Sequence, residues 1–277
     1  MPVEVKKDKT MNKIFSDKDI EYIKDNYKSM TYGQIASKLN YTEKQIRSKA
    51  LNLGLTKTRK FNKKYFQRIT TPNQAYWLGF IYADGYLVHN KKLSNYELGI
   101  ELINTDHKLL DDLNVELGGV HKVVFFHKEK NFNGYEYETD TCALRIYSKT
   151  IVDDLIKCGV VPNKTYSSIY PKCENFIWDF IRGFLDGDGC IYINTKNYIT
   201  VKFTNSNVDF LNHIKNIIEA ELQIEGSIYQ ENSHKYQLVY YRQTDVHILL
   251  QHIYYTNHNQ HLDRKYQIYH SYYGLAN

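Results

Sequence analysis

Apolar residues near the start of the chain recur at the three- and four-residue spacing of short helices. Thr31 with Gln34 and Thr42 with Gln45 each make the capping-box pattern that starts a helix. The pattern therefore predicts three short helices over residues 14–56, in the order of a helix-turn-helix module. A small helical bundle with a solvated face, or a protein-binding module, is the alternative for the same pattern.

From residue 72 onward, strand patterns and helical patterns follow one another in an order that occurs twice. Residues 104–106 align with residues 205–207, and residues 163–166 align loosely with residues 263–266, where Lys164 and Lys265 have the same offset as the first pair. The repeat predicts an α+β fold made of two αββαββα units. The predicted strands lie near residues 86–90, 96–103, 122–128 and 135–147, then 191–194, 198–204, 227–230 and 236–242, and the helices between them near 106–117, 150–158, 208–222 and 245–255.

These patterns divide the chain into six segments. We predict a flexible arm at residues 1–13, the helix-turn-helix-like module at 14–56, a basic linker at 57–71, a first half at 72–161, a linker between the halves at 162–174 and a second half at 175–277. In the second half, Ile199, Val201 and Phe203 alternate with polar residues, so one face of that sheet is expected to be core and the other polar.

Two stretches stand at the start of the two repeated units, at residues 77–85 and 181–189. Each is an apolar helix pattern that ends in an acid and a glycine. Gly183 and Gly187, like Gly79 and Ala83, lie four residues apart and therefore on one helix face. Glycine within a helix costs about 1 kcal/mol relative to alanine, so a compensating gain is required. Close approach of the two helices supplies that gain, and we predict that they pack on each other.

Asp84 and Asp188 fall at the C-terminal ends of these two helices, where the helix macrodipole is already negative. If the helices pack by their small faces, the two carboxylates converge. Like charges at close range raise a pKa or recruit a cation, and a divalent metal ion resolves the repulsion. For one copy of the pattern, an ordinary helix end with an Asp-Gly turn is the better explanation; two matching copies favour the metal site.

Both stretches resemble the LAGLIDADG motif of homing endonucleases of the two-motif, single-chain type, a family associated with intron and intein mobility. In that family the eighth motif position carries the metal-binding catalytic acid, which corresponds to Asp84 and Asp188. Asp186 occupies the sixth position of the second copy, whereas Tyr82 replaces the acid in the first. The resemblance covers roughly residues 72–270.

The resemblance implies a monomeric endonuclease that cuts both strands of a long, asymmetric duplex DNA site with Mg²⁺ or Mn²⁺. It implies catalytic roles for Lys164 and Lys265 near the attacking water or the developing charge, although either could instead contact phosphate. Glu101 and Lys202 occupy the strand positions where the family places a polar residue near the water. An RNA maturase or a DNA-binding regulator without cleavage remains the alternative, since the same fold serves both.

The net charge of +5, from 36 basic and 31 acidic residues, permits a polyanionic partner. The segment 57–68 holds six basic residues and no acid, so we predict an extended linker along a phosphate backbone, with a solubilising linker as the alternative. The third predicted helix presents side chains of the types that reach bases and phosphates. The predicted DNA-binding residues are Lys44, Gln45, Arg47, Ser48, Lys49, Arg59, Lys60, Lys63 and Lys64.

The four cysteines lack the spacing of a zinc site, so we expect small apolar residues in a reducing compartment, with neither zinc nor disulfide. His258 and His261 lack the context of an HNH nuclease and are expected at the surface. No signal, transit or membrane-spanning pattern is visible, which favours a cytoplasmic protein.

Overall fold

The computed structural model describes residues 15–28, 30, 32–55, 61–132, 135–161, 170, 173–233 and 235–274. The chain divides into two compact units, Met1–Arg59 and Lys60–Asn277. The predicted arm at residues 1–13, and Thr31 of the first predicted capping box, lie outside the described residues.

The first unit contains the helices α1 (Asp17–Asn26), α2 (Tyr32–Leu39) and α3 (Glu43–Asn52). Two capping boxes start α1 and α3, at Ser16 with Asp19 and at Thr42 with Gln45. Each satisfies backbone N–H groups that a helix start leaves without partners. One apolar side of each helix faces the others, and the buried core consists of Ile23, Ile35, Ala36, Ile46 and Ala50.

The second unit contains the two repeats. Its helices are α4 (Pro72–Asp84), α5 (His107–Glu116), α6 (Lys149–Lys157), α7 (Ile177–Asp188), α8 (Val208–Leu222), α9 (Gln243–Ile253) and α10 (Asp263–Tyr273). Its strands are β1 (Gly85–Asn90), β2 (Asn95–Ile103), β3 (Val123–Phe132), β4 (Tyr135–Tyr147), β5 (Gly189–Ile193), β6 (Ile199–Asn205), β7 (Ser227–Asn232) and β8 (Lys235–Tyr240).

The strands form two antiparallel sheets of the same topology, ordered β1-β2-β4-β3 and β5-β6-β8-β7. This confirms the α+β fold of two repeated units. On β6 the side chains of Ile199, Val201 and Phe203 are fully buried, as the alternation predicts. Lys202 and Thr204 on the opposite face are partly exposed, while Thr200 on that face is buried.

A motif helix precedes the first strand of each sheet, and the two helices pack on each other at the centre of this unit. Large aromatic side chains of these two helices are fully buried, among them Tyr76, Trp77, Phe80, Phe180 and Phe184. Such side chains bury much apolar area, which makes this helix pair the core from which both sheets extend.

The described part of the basic linker is not an extended strand. Residues 63–66 form a turn, and the aromatic rings of Tyr65 and Phe66 are buried in the core of the second unit. The Tyr65 hydroxyl donates to Glu116, and the Cys158 thiol donates to the carbonyl of Phe66. Burial of the Tyr65 and Phe66 rings stabilises the folded state and holds this segment against the core.

The helix α10 is absent from the prediction, although the sequence carries a signal for it. Tyr266, Tyr269 and Tyr273 recur at helical spacing, and Gly274 ends the helix with a φ of 63°. Within the part of the chain that the structure describes, no helix is both long enough and apolar enough to span a membrane.

Candidate functional site

The helices α4 and α7 approach so closely that their backbones touch at the glycines. A Cβ atom added to Gly79 would lie 2.1 Å from the carbonyl oxygen of Phe180, and one added to Gly183 would lie 2.0 Å from that of Tyr76. The two contacts are reciprocal, since each glycine meets the carbonyl three residues before the other glycine. Such reciprocity is the mark of a two-fold relation between the helices.

The pairing also sets the direction of the two helices. Contacts advance together along both helices, from Gly183 against Tyr76 to Gly187 against Ala83, so the helices run parallel. Their C-terminal ends therefore lie at the same end of the pair. A Cβ atom added to Gly187 would lie 3.5 Å from the Oδ2 atom of Asp84, so the Asp84 carboxylate lies against the last turn of α7.

The two motif acids end their helices in similar ways but differ in exposure. Asp84 is exposed at the end of α4, and Asp188 is partly exposed at the end of α7. Gly85 and Gly189 follow them with extended backbone. A Cβ atom at either glycine would lie within 2.7 Å of a carbonyl oxygen one turn back in the helix, so glycine is required here for space.

Asp186, at the sixth motif position, is buried, and its carboxylate makes hydrogen bonds within the core. Its carboxylate accepts hydrogen bonds from the Tyr76 hydroxyl at 3.0 Å, the Tyr254 hydroxyl at 3.1 Å and the Leu262 amide at 2.8 Å. Burial raises the pKa of Asp186 to about 6. Tyr82, at the matching position of α4, is also buried, and its ring stacks on Phe210.

Lys265 lies in the first turn of α10 and is buried. Its ammonium group donates to the backbone carbonyls of Leu185, Asp186, Gly187 and Gly189 at the end of α7. Burial lowers the pKa of Lys265, and the carboxylate of Asp186 opposes this shift. The structure thus directs the ammonium of Lys265 to the backbone of the motif helix. Its catalytic role, and that of Lys164, which lies outside the described residues, stay predictions.

Glu101 and Lys202 lie on the second strands of their sheets. Lys128, on the edge strand β3 of the same sheet, donates to the carboxylate of Glu101. The Lys202 ammonium lies 5.0 Å from the centre of the Tyr192 ring, and Lys202 pairs in register with Cys190, two residues beyond Asp188. Lys202 is therefore a partly exposed cation beside the end of α7.

The predicted DNA-binding residues differ in their environment. Lys44, Arg47 and Ser48 are exposed on α3, and Lys63 and Lys64 are exposed in the turn of residues 63–66. The Gln45 side chain accepts hydrogen bonds from Thr42 in the capping box, and the Lys49 ammonium lies 5.5 Å from the centre of the Phe15 ring. Arg59 and Lys60 lie outside the described residues.

His258 and His261 are half-buried and bonded to each other, whereas the sequence predicted ordinary surface residues. Their rings share a hydrogen bond of 2.9 Å between Nε2 of His258 and Nδ1 of His261, and Nδ1 of His258 donates to the carbonyl of Tyr255. Burial lowers the pKa of both histidines, that of His261 to about 4. The sequence pattern does not predict this pairing, because the loop between α9 and α10 brings the two rings together.

Besides Asp186, the second motif helix contains another buried charged residue, Arg182. It donates to Asp179 at 2.7 Å, to the carbonyl of Gln260 at 2.8 Å and to that of Ile253 at 3.1 Å. Every buried charge needs such partners. The signal for this role was present in the sequence, as an arginine three residues after an acid inside an otherwise apolar helix.

The fold and the helix pair define a class of protein: a two-repeat α+β chain in which two small-faced helices bring one acid from each repeat to the same end. Residues 175–267 match the family model described as "LAGLIDADG-like domain". The second half of the chain is thus similar to a LAGLIDADG-like domain, and both halves together have the two-domain α+β fold of LAGLIDADG proteins.

Individual proteins of known structure or sequence are similar to this chain. The homing endonuclease I-WcaI, bound to its DNA recognition sequence, superposes with a TM-score of 0.52 at 15% identity, over 77% of this chain and 95% of that chain. I-DmoI, in complex with DNA and Ca, gives a TM-score of 0.49 at 16% identity, over 76% and 99%. The uncharacterized protein MJ0314 of Methanocaldococcus jannaschii is 27% identical over 198 residues, which is 70% of this chain and 69% of that protein.

Proposed function

We propose that the chain is a metal-dependent, site-specific DNA endonuclease that hydrolyses one phosphodiester bond in each strand of a long, asymmetric duplex target, as a monomer. The parallel pairing of α4 and α7 carries this proposal, because it sets Asp84 and Asp188 at the same end of the helix pair. A protein that only binds nucleic acid gains nothing from two carboxylates where a phosphate must approach.

The two carboxylates fit a hard divalent cation, Mg²⁺ or Mn²⁺, because these ions prefer oxygen ligands and Mg²⁺ keeps several waters in protein sites. Among the described residues, no group of three or more His, Cys, Asp or Glu side chains is arranged to hold a metal ion. Water and DNA phosphate oxygens would complete the coordination. The cation would supply charge neutralisation at the phosphate and a more acidic water.

The chain's own residues would position this chemistry. Asp84 comes from the first half and Asp188 from the second, and the glycines allow direct backbone contact between the helices that carry them. A duplex offers one scissile phosphate on each strand, and the two are related by an approximate two-fold axis. One acid per repeat on a two-fold helix pair matches that arrangement, which supports cleavage of both strands.

Duplex DNA would lie against the outward faces of the two sheets. Arg145 and Tyr147 are exposed on β4, and Lys202 and Thr204 face outward on β6. These are donors and acceptors of the kinds that read base edges and phosphates in a groove about as wide as a two-stranded ribbon. I-WcaI, which shares the fold, is bound to its DNA recognition sequence, and this supports duplex DNA as the partner.

The first unit would add a second DNA contact. Lys44, Arg47 and Ser48 lie exposed on α3, the third helix of the helix-turn-helix-like module. In such modules this helix enters the major groove and its side chains reach base edges. Gln45 and Lys49 would contribute with the groups that their local contacts leave accessible, and Arg59, Lys60, Lys63 and Lys64 would contact phosphates.

The test is selection of cleaved sites from a randomised duplex library carried in supercoiled plasmid. Separate reactions contain Mg²⁺, Mn²⁺, Ca²⁺ or EDTA. We expect double-strand cuts at one family of related sequences with Mg²⁺ or Mn²⁺ and none with EDTA. Sequence-specific binding without cleavage under every condition would contradict the proposal and favour a regulator, and specific binding of structured intron RNA in place of DNA would favour a maturase.

A further inference from the structure

The ammonium of Lys265 caps the C-terminal end of the second motif helix, α7. Its Nζ atom lies 2.8 Å from the carbonyl oxygen of Leu185, 2.7 Å from that of Asp186, 3.3 Å from that of Gly187 and 2.6 Å from that of Gly189. The residue is only 3% exposed. A lysine ammonium has three donors, so these four acceptors engage all of them.

This arrangement meets a need of the helix itself. The last carbonyls of an α-helix have no partner within the helix, and a cation near them is stabilising because the macrodipole is negative there. Asp188 is the last residue of α7, and the carbonyls that Lys265 binds flank it on both sides. Lys265 therefore contacts the backbone on both sides of Asp188.

Lys265 is held in place by a return contact from the same helix. The Asp186 carboxylate accepts a hydrogen bond from the amide of Leu262, the residue before α10 begins, and so fixes the start of the helix that carries Lys265. The hydroxyls of Tyr76 and Tyr254 fix that carboxylate in turn. The end of α7 and the start of α10 are thus linked in both directions, by a side chain of each on the backbone of the other.

A lysine in the same neighbourhood takes the opposite orientation. Lys202 pairs in register with Cys190, just beyond Asp188, and its partly exposed ammonium lies above the Tyr192 ring on the outward face of the sheet. An ammonium that contacts water or phosphate must face the solvent side, as that of Lys202 does. Lys265, buried beneath the helix end, does not.

We propose that Lys265 is a positioning residue, which fixes the last turn of α7 and so the Asp188 carboxylate, and that it does not contact the attacking water. The consequence for cleavage rests on the proposed endonuclease function. The structural part does not, because it concerns the helix end alone and can be measured without DNA or metal.

The first measurement uses the unaltered protein with ¹⁵N-labelled lysine side chains. An ammonium held by carbonyls and shielded from water exchanges its protons slowly, so Lys265 is expected to give an observable ¹H–¹⁵N ammonium signal with couplings to backbone carbonyls. The signal is assigned by its loss in Lys265→Arg. It should persist when Mg²⁺ or duplex DNA is added. Failure to observe it in the folded protein would overturn the proposal, whatever the variants do.

The second measurement compares Lys265→Met with Lys202→Met by amide hydrogen exchange without metal. Lys265→Met is expected to speed exchange at the amides of residues 187–190 at least about tenfold, and Lys202→Met to leave it unchanged. Cleavage by Lys265→Met should fall about 100-fold, the typical loss when a reacting group is misplaced by about 1 Å. Lys265→Arg, which keeps charge and donors, should recover part of the protection and part of the activity.

The outcomes separate the two proposals. Loss of cleavage in Lys265→Met with unchanged exchange would show that Lys265 acts on the reaction directly, and unchanged exchange with unchanged cleavage would show that it has neither role. If the unaltered protein cuts no DNA, the endonuclease proposal fails, and the ammonium signal and the exchange data still decide the role of Lys265. If Lys265→Met does not fold, the ammonium signal and Lys265→Arg decide it.

Discussion

Three aspartates of the motif helices share a residue type and differ in what surrounds them. Asp186 is buried, and its carboxylate accepts three hydrogen bonds within the core, so its role is structural. Asp84 and Asp188 lie at the exposed ends of their helices, where a carboxylate can meet a metal ion and a phosphate. Environment, and not residue type, separates a structural acid from a candidate catalytic acid.

Replacement of Asp84 or Asp188 tests the proposed metal site. Asp84→Asn and Asp188→Asn remove one charge and keep the shape, so each variant should fold and should bind duplex DNA with Ca²⁺ or without metal. Cleavage of both strands should be abolished, because the remaining carboxylate cannot hold the cation alone. Cleavage and gel-shift assays check this, with Asp111→Asn, an exposed acid on α5, as the matched control. Double-strand cleavage at the unaltered rate by either variant would contradict the assignment.

The histidine pair predicts a pH dependence of stability. The pKa of His261 is lowered from 6.5 to about 4 in the folded chain, first by burial and then by the neighbouring His258. Between pH 6.5 and 4, the unfolded chain therefore binds a proton that the folded chain does not, and the free energy of unfolding falls as the pH falls. At about 1.4 kcal/mol per pKa unit, the loss is about 1 to 3 kcal/mol for this partly buried group.

The measurement is thermal unfolding of the unaltered protein and of His261→Gln from pH 8 to pH 4. The glutamine amide can still bond to His258 and does not titrate, so the variant should lose less stability on acidification. The difference between the two proteins at pH 8 serves as the reference. Parallel stability curves over the whole range would show that His261 does not carry this linkage.

At the scale of elements, α4 and α7 depend on glycine for contact between backbones. Neither helix could approach the other if the interface carried larger side chains, because the carbonyls of Tyr76 and Phe180 lie where a Cβ atom would be. A side chain can rotate away from a new methyl group, but a backbone carbonyl inside a helix cannot. The helix pair is therefore more sensitive to small substitutions than most of the core.

Gly183→Ala tests this contact. Its Cβ would lie 2.0 Å from the Tyr76 carbonyl oxygen, so the helices must separate. Overpacking typically costs about 1 to 3 kcal/mol, and we expect about 3 kcal/mol or more here, because the obstacle is backbone. Gly274→Ala is the control, since nothing lies within 4 Å of it and only its φ of 63° opposes a side chain. That control should cost about 1 to 2 kcal/mol. Equal melting temperatures for the two variants would contradict the packing.

At the scale of the whole molecule, the chain consists of a small helical unit and a larger unit that contains both motif helices. Each has its own buried core. The first unit carries neither motif acid, so binding and chemistry can be separated by truncation. The second unit has the complete helix pair and both sheets, and it retains Tyr65 and Phe66 in its core.

Removal of residues 1–59 should leave a folded protein that cuts the same phosphates. Affinity should fall, the footprint should shorten, and the slope of log affinity against log salt should decrease by about 0.9 for each phosphate that the shortened protein no longer neutralises. Footprinting and titrations at several salt concentrations measure this, with Arg47→Ala in the full chain as the comparison. Full affinity and an unchanged footprint after truncation would instead favour a protein partner for the three-helix module.

The sequence alone determined the elements and the repeat, because strands and helices follow from local periodicity and because two copies of one pattern identify each other. It also predicted the pairing of the two motif helices, whose parallel direction places both acids at the same end of the pair. Glycine at four-residue spacing is costly in a helix unless another backbone occupies the space. The helix α10 and the anchoring of Tyr65 and Phe66 were not predicted, since in both places polar residues interrupt a pattern of aromatic ones.

Only the tertiary structure decided which polar groups share a site. Lys265 reaches carbonyls about 80 residues earlier in the chain, and Arg182 meets carbonyls more than 70 residues later. No periodicity encodes such partners, because a buried charge needs acceptors of suitable geometry and the fold alone brings them together. The sequence indicated that a lysine near the end of the chain is important, and the structure showed that its ammonium binds the end of the second motif helix.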